Sequence, residues 1–484
     1  MMMAKETGLL KARSEFQELV ELVRQATKDG RRIDEVERGL WQHLLAIGLA
    51  MLEAFVADAG DGDVGETIER DGERLCRLDE PHARRYVSIF GALRISRRVY
   101  AVREKQRTSA PLDAQLGLPR EDFSYVLTDW LQQACVRGSF AEAVAWLAKM
   151  LGLDLNLHSA EHMNQQVAMH TEAFRQTQPV PKPSEEEQIL VTTADCKGVP
   201  MRRPVQEWAR HGVRRRKGEK ANKKQMAAVG AVYSIAPYVR TADDVIDELA
   251  RRERAAERPR PQHKHVWAEL TRVREGEEFS GKERLFLEMA LEAHHRDPHR
   301  HKVLVCLMDG ELALWALQKE WLGRAIGILD LFHVLERLWD AAYCFHAEGS
   351  DAAEEFVTHR LRMLLEGKVG YLIGGLKRLR DQHDLRGEKR RTVTATIRYY
   401  ENNRQHMRYD QYLAAGYPIG SGVAEGACRH LVKDRLEGTG MRWTVNGAQA
   451  MLSLRAIHLN GDWDAFIKHH METEQSTLYA QLAA

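Results

Sequence analysis

Three acidic residues in this chain occupy positions where a carboxylate can do chemistry. Asp195 follows the apolar run Gln188-Ile-Leu-Val-Thr-Thr-Ala, and Asp309 follows Lys302-Val-Leu-Val-Cys-Leu-Met. Glu425 opens a helical pattern behind the turn-forming loop Pro418-Ile-Gly-Ser-Gly422. The two apolar runs read as buried strands ending on an acid. Strand ends of an α/β sheet are where acids converge without being buried unpaired. Convergent carboxylates suit phosphoryl transfer on nucleic acid, in which two hard cations roughly 4 Å apart clamp the attacking and leaving oxygens. Mg²⁺ takes oxygen ligands and keeps waters and substrate phosphate in its shell. Taken singly, each acid also has a plainer role: a turn cap for the aspartates, a helix-dipole partner for Glu425. Glu311 could replace Asp309, and Asp330, Asp410 and Asp434 are further candidates.

Basic residues accompany these acids. Arg429 and Lys433 lie four and eight residues after Glu425, on one face of an α-helix. They suit either phosphate contacts or ordinary i,i+4 ion pairs. Between Arg202 and Lys224 there are ten Lys/Arg against Glu207 and Glu219. Such a run is a solvated loop or, beside catalytic carboxylates, an arm that orders on phosphate. The phosphate-binding candidates are Arg202, Arg203, Arg214, Arg215, Arg216, Lys217, Lys223 and Lys224, with Arg429, Lys433 and Arg442. Net charge is only +1 over 484 residues, so local clustering has to carry any nucleic-acid argument.

The six cysteines are scattered without a CxxC pair, which argues against a zinc ribbon or a disulfide framework and fits a reducing cytoplasm. The first residues lack the pattern of a secretory signal. The apolar run Leu44 to Val56 is short for a bilayer and contains Glu53, so it reads as a buried helix and no membrane association is expected. The histidines 294, 295, 299 and 301 read as a polar loop, and Asp58–Asp63 lacks the closing Glu of a calcium loop.

The elements that must position the acids follow from periodicity. Residues 1–118 read as helices followed by a β-hairpin turning near Gly91, with a linker over 109–120. Residues 119–178 read as helical. There Ser139 caps one helix, Ser159 begins the next, and the short Gly152 turn between them is the helix-turn-helix arrangement. His158, Gln165 and Gln166 are its candidate DNA contacts. Pro179-Val-Pro-Lys-Pro183 marks a linker. Residues 184–346 carry the strands, with Lys224–Ile235 the second and 241–300 largely helical. Residues 347–408 read as charged helices, and 409–484 as the Glu425 stretch and final helices.

Several segments together resemble a known family. They are Asp195-Cys-Lys-Gly-Val-Pro-Met, Met308-Asp-Gly, Leu329-Asp-Leu-Phe-His-Val-Leu, Met407-Arg-Tyr-Asp-Gln-Tyr-Leu, Gly416-Tyr-Pro-Ile-Gly-Ser-Gly-Val-Ala-Glu-Gly-Ala-Cys-Arg-His and Thr439-Gly-Met-Arg-Trp443. In order and density, from about residue 85 to residue 465, they resemble the ISKra-type bacterial insertion-sequence transposases. The resemblance implies a DDE-class enzyme acting on double-stranded DNA, with an α/β ribonuclease H-like core interrupted by a helical insertion. It implies Asp195, Asp309 and Glu425 as the acidic triad, holding two Mg²⁺ or Mn²⁺ ions. An Asp-x-x-His element maps onto Asp330 and His333. Pairing of two element ends implies a homodimer or larger assembly, in a cytoplasmic, nucleoid-associated setting. The paired cysteines that many relatives carry near 100–111 are absent from this sequence, so no zinc module is expected.

Overall fold

The computed structural model describes residues 2–70, 72–102, 108–202, 224–250, 258–274 and 276–479. It is a mixed α/β protein that divides into two compact units, Met1–Gln176 with Asp462–Ala484, and Thr177–Gly461.

The second unit is built on a five-stranded sheet. Its strands are β1 (Ile189–Pro200), β2 (Lys224–Ile235), β3 (Gln262–Leu270), β4 (Val303–Met308) and β5 (Ile326–Leu329). Their spatial order is β5-β4-β1-β2-β3. β1, β2 and β3 are antiparallel neighbours, and β4 and β5 run parallel to β1. Val191, Val305, Leu307 and Ile328 are fully buried, as expected of strands covered on both faces. Parallel strands require crossovers, and the helices Gly281–Arg296 and Leu312–Trp321 lie between β3 and β4 and between β4 and β5.

Two expectations about this sheet need correction. Asp195 does not end its strand: β1 runs on to Pro200 because the antiparallel partner β2 continues beside it, pairing Asp195 with Val229 and Pro200 with Lys224. Only the parallel neighbour stops, at Met308 opposite Ala194. Residues 241–300 are not mainly helical, since β3 and a small hairpin, Arg272–Arg274 with Glu277–Phe279, lie inside that span. The first four residues of β3, Gln262-His-Lys-His, are polar, and burial begins only at Val266, which hides the strand from a period count. β3 is an edge, and edges need their backbone groups satisfied. Side chains of the helix Val445–Asn460 do this. Asn460 bonds both Val266 N (2.9 Å) and Val266 O (3.2 Å), while Gln449 bonds Leu270 N (2.8 Å) and Ala268 O (3.1 Å).

After β5 comes the helix Leu331–Ala342, followed by helices Asp351–Leu365, Val369–Gln382 and Gly387–Asn403. The last of these returns to the sheet. Tyr400 donates to Val334 O at 2.9 Å, and Asn403 Oδ1 accepts from Trp315 Nε1 at 2.7 Å.

In the first unit, helices Met2–Lys28 and Ile33–Asp58 form a hairpin in which small residues allow close approach. A Cβ on Gly8 would lie 2.9 Å from Ala54 Cβ. The helix Ile33–Asp58 is not the buried helix expected of residues 44–56: only Ala50 and Ala54 are buried, and Trp41, Leu44, Met51 and Phe55 are exposed. It is also longer than the apolar run suggested, and by length and composition alone is apolar enough to cross a membrane. Its Leu49, Leu52 and Val56 pack on Leu93, Ile95, Leu112 and Leu118 beneath the hairpin His82–Ser88/Gly91–Arg97. The expected linker 109–120 contains a short helix, Pro111–Gln115. Helices Tyr125–Arg137, Phe140–Leu151 and Leu157–Ala168 follow. Ser139 forms a full capping box with Glu142, whereas Asn156, not Ser159, caps the third helix. Gly152 closes the second helix in the left-handed conformation (φ 67°).

Candidate functional site

Sheet register brings the acids together. Met308 pairs with Ala194 on one side and with Leu329 on the other. The next residue on each of the three adjacent strands is therefore an aspartate: Asp195, Asp309 and Asp330. Ligand atoms of Asp195, Asp309 and His333 all lie within 4.8 Å of one another. His333 joins them from the first turn of the helix Leu331–Ala342, three residues after Asp330.

The aspartates differ in environment. Asp309 Oδ1 accepts from Glu311 N at 3.0 Å, which fixes the turn leaving β4. Burial pushes its carboxyl above the usual range, and the neighbouring Asp195 charge adds to this. Asp195 is held by Cys196 N at 2.6 Å and by the Cys428 thiol, which donates to Oδ2 at 3.3 Å.

Asp330 is fully buried and satisfied by its neighbours. It accepts from Phe332 N (3.0 Å), Ser421 N (3.2 Å) and Ser421 Oγ, and bonds His333 Nδ1 at 2.9 Å. A carboxylate with this many donors is a joint rather than an open ligand. It ties the end of β5 to the loop that launches the Glu425 helix. The same hydrogen bond, to Asp330, raises His333 to about 9 against the opposing effect of burial. At neutral pH His333 is therefore an imidazolium, facing Asp195 and Asp309.

Glu425 sits in the short helix Gly422–Ala427, which packs on β1 and β2. Its carboxyl is exposed, yet raised by partial burial and by the charges of Asp330 and Asp195, with His333 opposing. Glu425 thus shares the electrostatic field of the strand-end group. The helix does not continue regularly: Cys428–Lys433 is a π-helical turn. Arg429 and Lys433 therefore do not repeat along the Glu425 face at α-helical intervals. Arg429, exposed, reaches Asp434 at 3.6 Å, five residues on. Such turns often accompany functional sites. Here the π turn packs on β1, and Cys428 within it touches Asp195. Gly420 serves packing within the protein. Its missing Cβ makes room for the Phe332 ring (2.8 Å), while Gly422 faces open space.

Among the other candidate acids, Glu311 is engaged by Lys282 Nζ. Asp434 pairs with His430 and Arg429, and Asp410 packs against Gly367. Of the basic candidates, Arg203, Arg214, Arg215, Arg216, Lys217 and Lys223 lie outside the described residues. Arg202, Lys224 and Arg442 gather at the far end of β1: Arg202 N donates to Trp443 O (2.8 Å), Trp443 N to Pro200 O (3.0 Å), and Lys224 pairs with Glu437 at 2.6 Å. Lys433 is exposed on the π turn. In the other unit His158 and Gln165 are exposed, and Gln166 bonds His162. A second group of metal-capable side chains, Glu15, Glu18 and His43, lies on the N-terminal helical hairpin.

Reading from sequence missed Cys428 and the load on Asp330. The signal for Cys428 was its place three residues after Glu425, one turn along the same helix; that for Asp330 was its place one residue beyond β5.

No family model and no curated protein matches this chain. Among solved structures, one described as "Drosophila P element transposase strand transfer complex" aligns with 76% of this chain and 86% of its own, at 8% identity and a TM-score of 0.24. A likeness at that level carries no argument about this protein.

Proposed function

We propose that this chain is a DDE-type DNA transposase of a bacterial insertion sequence, with a ribonuclease H-like catalytic core. One observation carries the reading: ligand atoms of Asp195 and Asp309, brought together by adjacent strands, and of His333, from the helix Leu331–Ala342, lie within 4.8 Å of one another, and the helix that bears Glu425 packs on β1 and β2. The mixed sheet, with three antiparallel strands followed by two parallel crossovers, supports the core assignment.

The donor set fits divalent cations. Asp195 and Asp309 offer hard oxygen ligands suited to Mg²⁺ or Mn²⁺, and Glu425, which lies outside the group within 4.8 Å, would complete the set. Burial, and after it the neighbouring carboxylate charges, raise the carboxyls of Asp309 and Glu425, and a bound cation would offset both effects. His333, protonated and bonded to Asp330, is better suited to meet phosphate than metal. When bound, two ions would stabilise the attacking and leaving oxygens of an in-line displacement. The protein's own residues do the rest. Asp330 fixes His333 and the Glu425 loop in one frame, and the second N–H of His333 is available to a non-bridging phosphate oxygen. Arg202, Lys224 and Arg442 neutralise the strand running past the far end of β1, aided by the basic run between Arg202 and Lys224. Binding through these contacts weakens steeply with salt. Water attacks a phosphodiester at an element end and releases the 3′-hydroxyl; that hydroxyl then attacks a target phosphodiester, whose own 3′-oxygen leaves as the new bond forms. Two ends are joined, so the working form is a dimer or larger.

The test is strand transfer. Labelled element ends, taken from the repeats flanking the coding region, are incubated with plasmid and Mg²⁺ or Mn²⁺. Joined products are expected from the wild type and none from Asp195→Asn, which still binds DNA. Cleavage without joining would instead indicate a structure-specific nuclease, and binding with neither reaction a regulator.

A further inference from the structure

From Gly39 to Leu52 the helix Ile33–Asp58 carries no Asp, Glu, Lys or Arg. A helix that is apolar all round belongs in an interior, yet the fold covers only two of its faces. Gly39, His43, Ala50 and Ala54 turn toward the helix Met2–Lys28. A Cβ on Gly39 would lie 2.7 Å from Leu22, and His43 Nδ1 is 3.1 Å from Glu15 Oε2. Leu49, Leu52 and Val56 turn onto the cluster beneath the hairpin His82–Ser88/Gly91–Arg97. Trp41, Leu44, Met51 and Phe55, spaced three, seven and four residues apart, fall within about 80° of one another on the third face. They are 44% to 61% exposed.

The stripe continues over the surface of the same unit. Trp41 Nε1 donates to Met150 O at 2.5 Å, and Trp146 stands one turn before Met150 on the helix Phe140–Leu151, both exposed. Trp146 and Trp130 then flank a groove of 510 Å³. Phe90, also exposed, joins the stripe midway, where a Cβ on Gly48 would lie 2.5 Å from its ring. The exposed parts of these residues amount to roughly 900 Å², beyond the roughly 300–600 Å² of the largest patch on a typical monomer and close to the ~800 Å² each partner gives to a stable dimer. The band holds a convex ridge and a concave groove, as a two-fold contact between identical surfaces requires. A bilayer fits the same helix poorly. Spanning would carry the Glu15–His43 and Lys11–Glu53 pairs, at 3.1 and 2.9 Å, into hydrocarbon.

We propose that two copies of this chain associate through this band in the absence of DNA, each laying its Trp41–Phe55 stripe against the band of the other. This goes beyond the transposase reading, which needs two copies only where two element ends are joined, and does not depend on it. Trp41, Phe55 and Trp146 are the anchors, large aromatic side chains that lose their remaining water in the contact.

The test is sedimentation velocity of the full-length protein without DNA. A dimer is expected at micromolar concentration. Leu44→Glu combined with Phe55→Glu should give a monomer with the circular dichroism of the wild type, because both side chains are exposed in the single chain. Trp146→Ala should weaken the dimer about tenfold, the scale of truncating one aromatic anchor. Tyr371→Glu, at an exposed aromatic of the other unit, should change nothing. A monomeric wild type, a dimer that forms only with element-end DNA, or a dimer that survives the double substitution overturns this contact and leaves the transposase reading standing. Should the double variant lose its fold, Trp146→Ala decides, and an undiminished dimer overturns the contact. Co-flotation with phosphatidylglycerol vesicles by the wild type and not by the double variant would also overturn it, making the stripe a membrane face.

Discussion

Asp309→Asn tests whether the acids form one electrostatic group. Asn keeps the shape and can still accept from Glu311 N at Oδ1, so the turn leaving β4 survives the change. What is lost is a negative charge within 4.8 Å of Asp195. Two unit charges about 5 Å apart interact by roughly 3 kcal/mol at an effective dielectric of ~20. The His333 imidazolium lies in the same group and offsets this repulsion, so the variant's gain without metal comes chiefly from no longer burying a charge, the largest cause of the raised Asp309 carboxyl, and is about 1–2 kcal/mol. At ~2–4 °C per kcal/mol for units of roughly 200 residues, its melting midpoint in EDTA should lie several degrees above wild type. With metal the order should invert. Wild type gains about 2.7 kcal/mol when the ion is a hundredfold above its Kd, whereas the variant has lost a ligand and gains little. Thermal melts of both proteins in EDTA, Mg²⁺ and Mn²⁺ at matched ionic strength measure this. A variant that melts at or below wild type in EDTA, or that keeps the full metal-induced shift, would refute the reasoning.

Three further outcomes are expected. His333 has a folded pKa of about 9, raised chiefly by its bond to Asp330, so its stabilisation is complete below the unfolded value near 6.5 and lost as pH rises through 9; metal-free melts should show this loss in wild type and a flatter profile in His333→Gln. In the first unit, burial lowers His470 to about 4, and its Nδ1 lies 2.7 Å from His170 Nδ1. Stability tied to neutral His470 is present above about 6.5 and lost as pH falls through 4, so His470→Gln should reduce the acid dependence of the melting curve between those values. Finally, a Cβ at Gly310 would collide with the Tyr399 ring and lie 2.6 Å from Asn403 Nδ2. Gly310→Ala should cost about 1–3 kcal/mol by overpacking and depress strand transfer through the adjacent Asp309, whereas an unchanged melting midpoint would show that the helix Gly387–Asn403 yields there.

The sequence alone determined the parts whose signal is local. Apolar runs placed β1, β2, β4 and β5, because strands buried on both faces read as continuous hydrophobic stretches. Ser139 and Glu142 announced their capping box. The acids were found because carboxylates next to such runs need a reason to be there. Tertiary structure decided the remainder. The edge strand β3 has a polar first half and relies on Gln449 and Asn460, nearly two hundred residues away, to satisfy its backbone. Whether Asp195 ends a strand depended on how far β2 runs beside it. That Asp330 is a buried joint followed only from the approach of Ser421 across the chain. The π turn that breaks the Glu425–Arg429–Lys433 face is invisible to helical periodicity, which assumes a constant turn. Pairing register, edge protection and charge proximity are properties of segments distant in the chain, and only the folded arrangement brings them into contact.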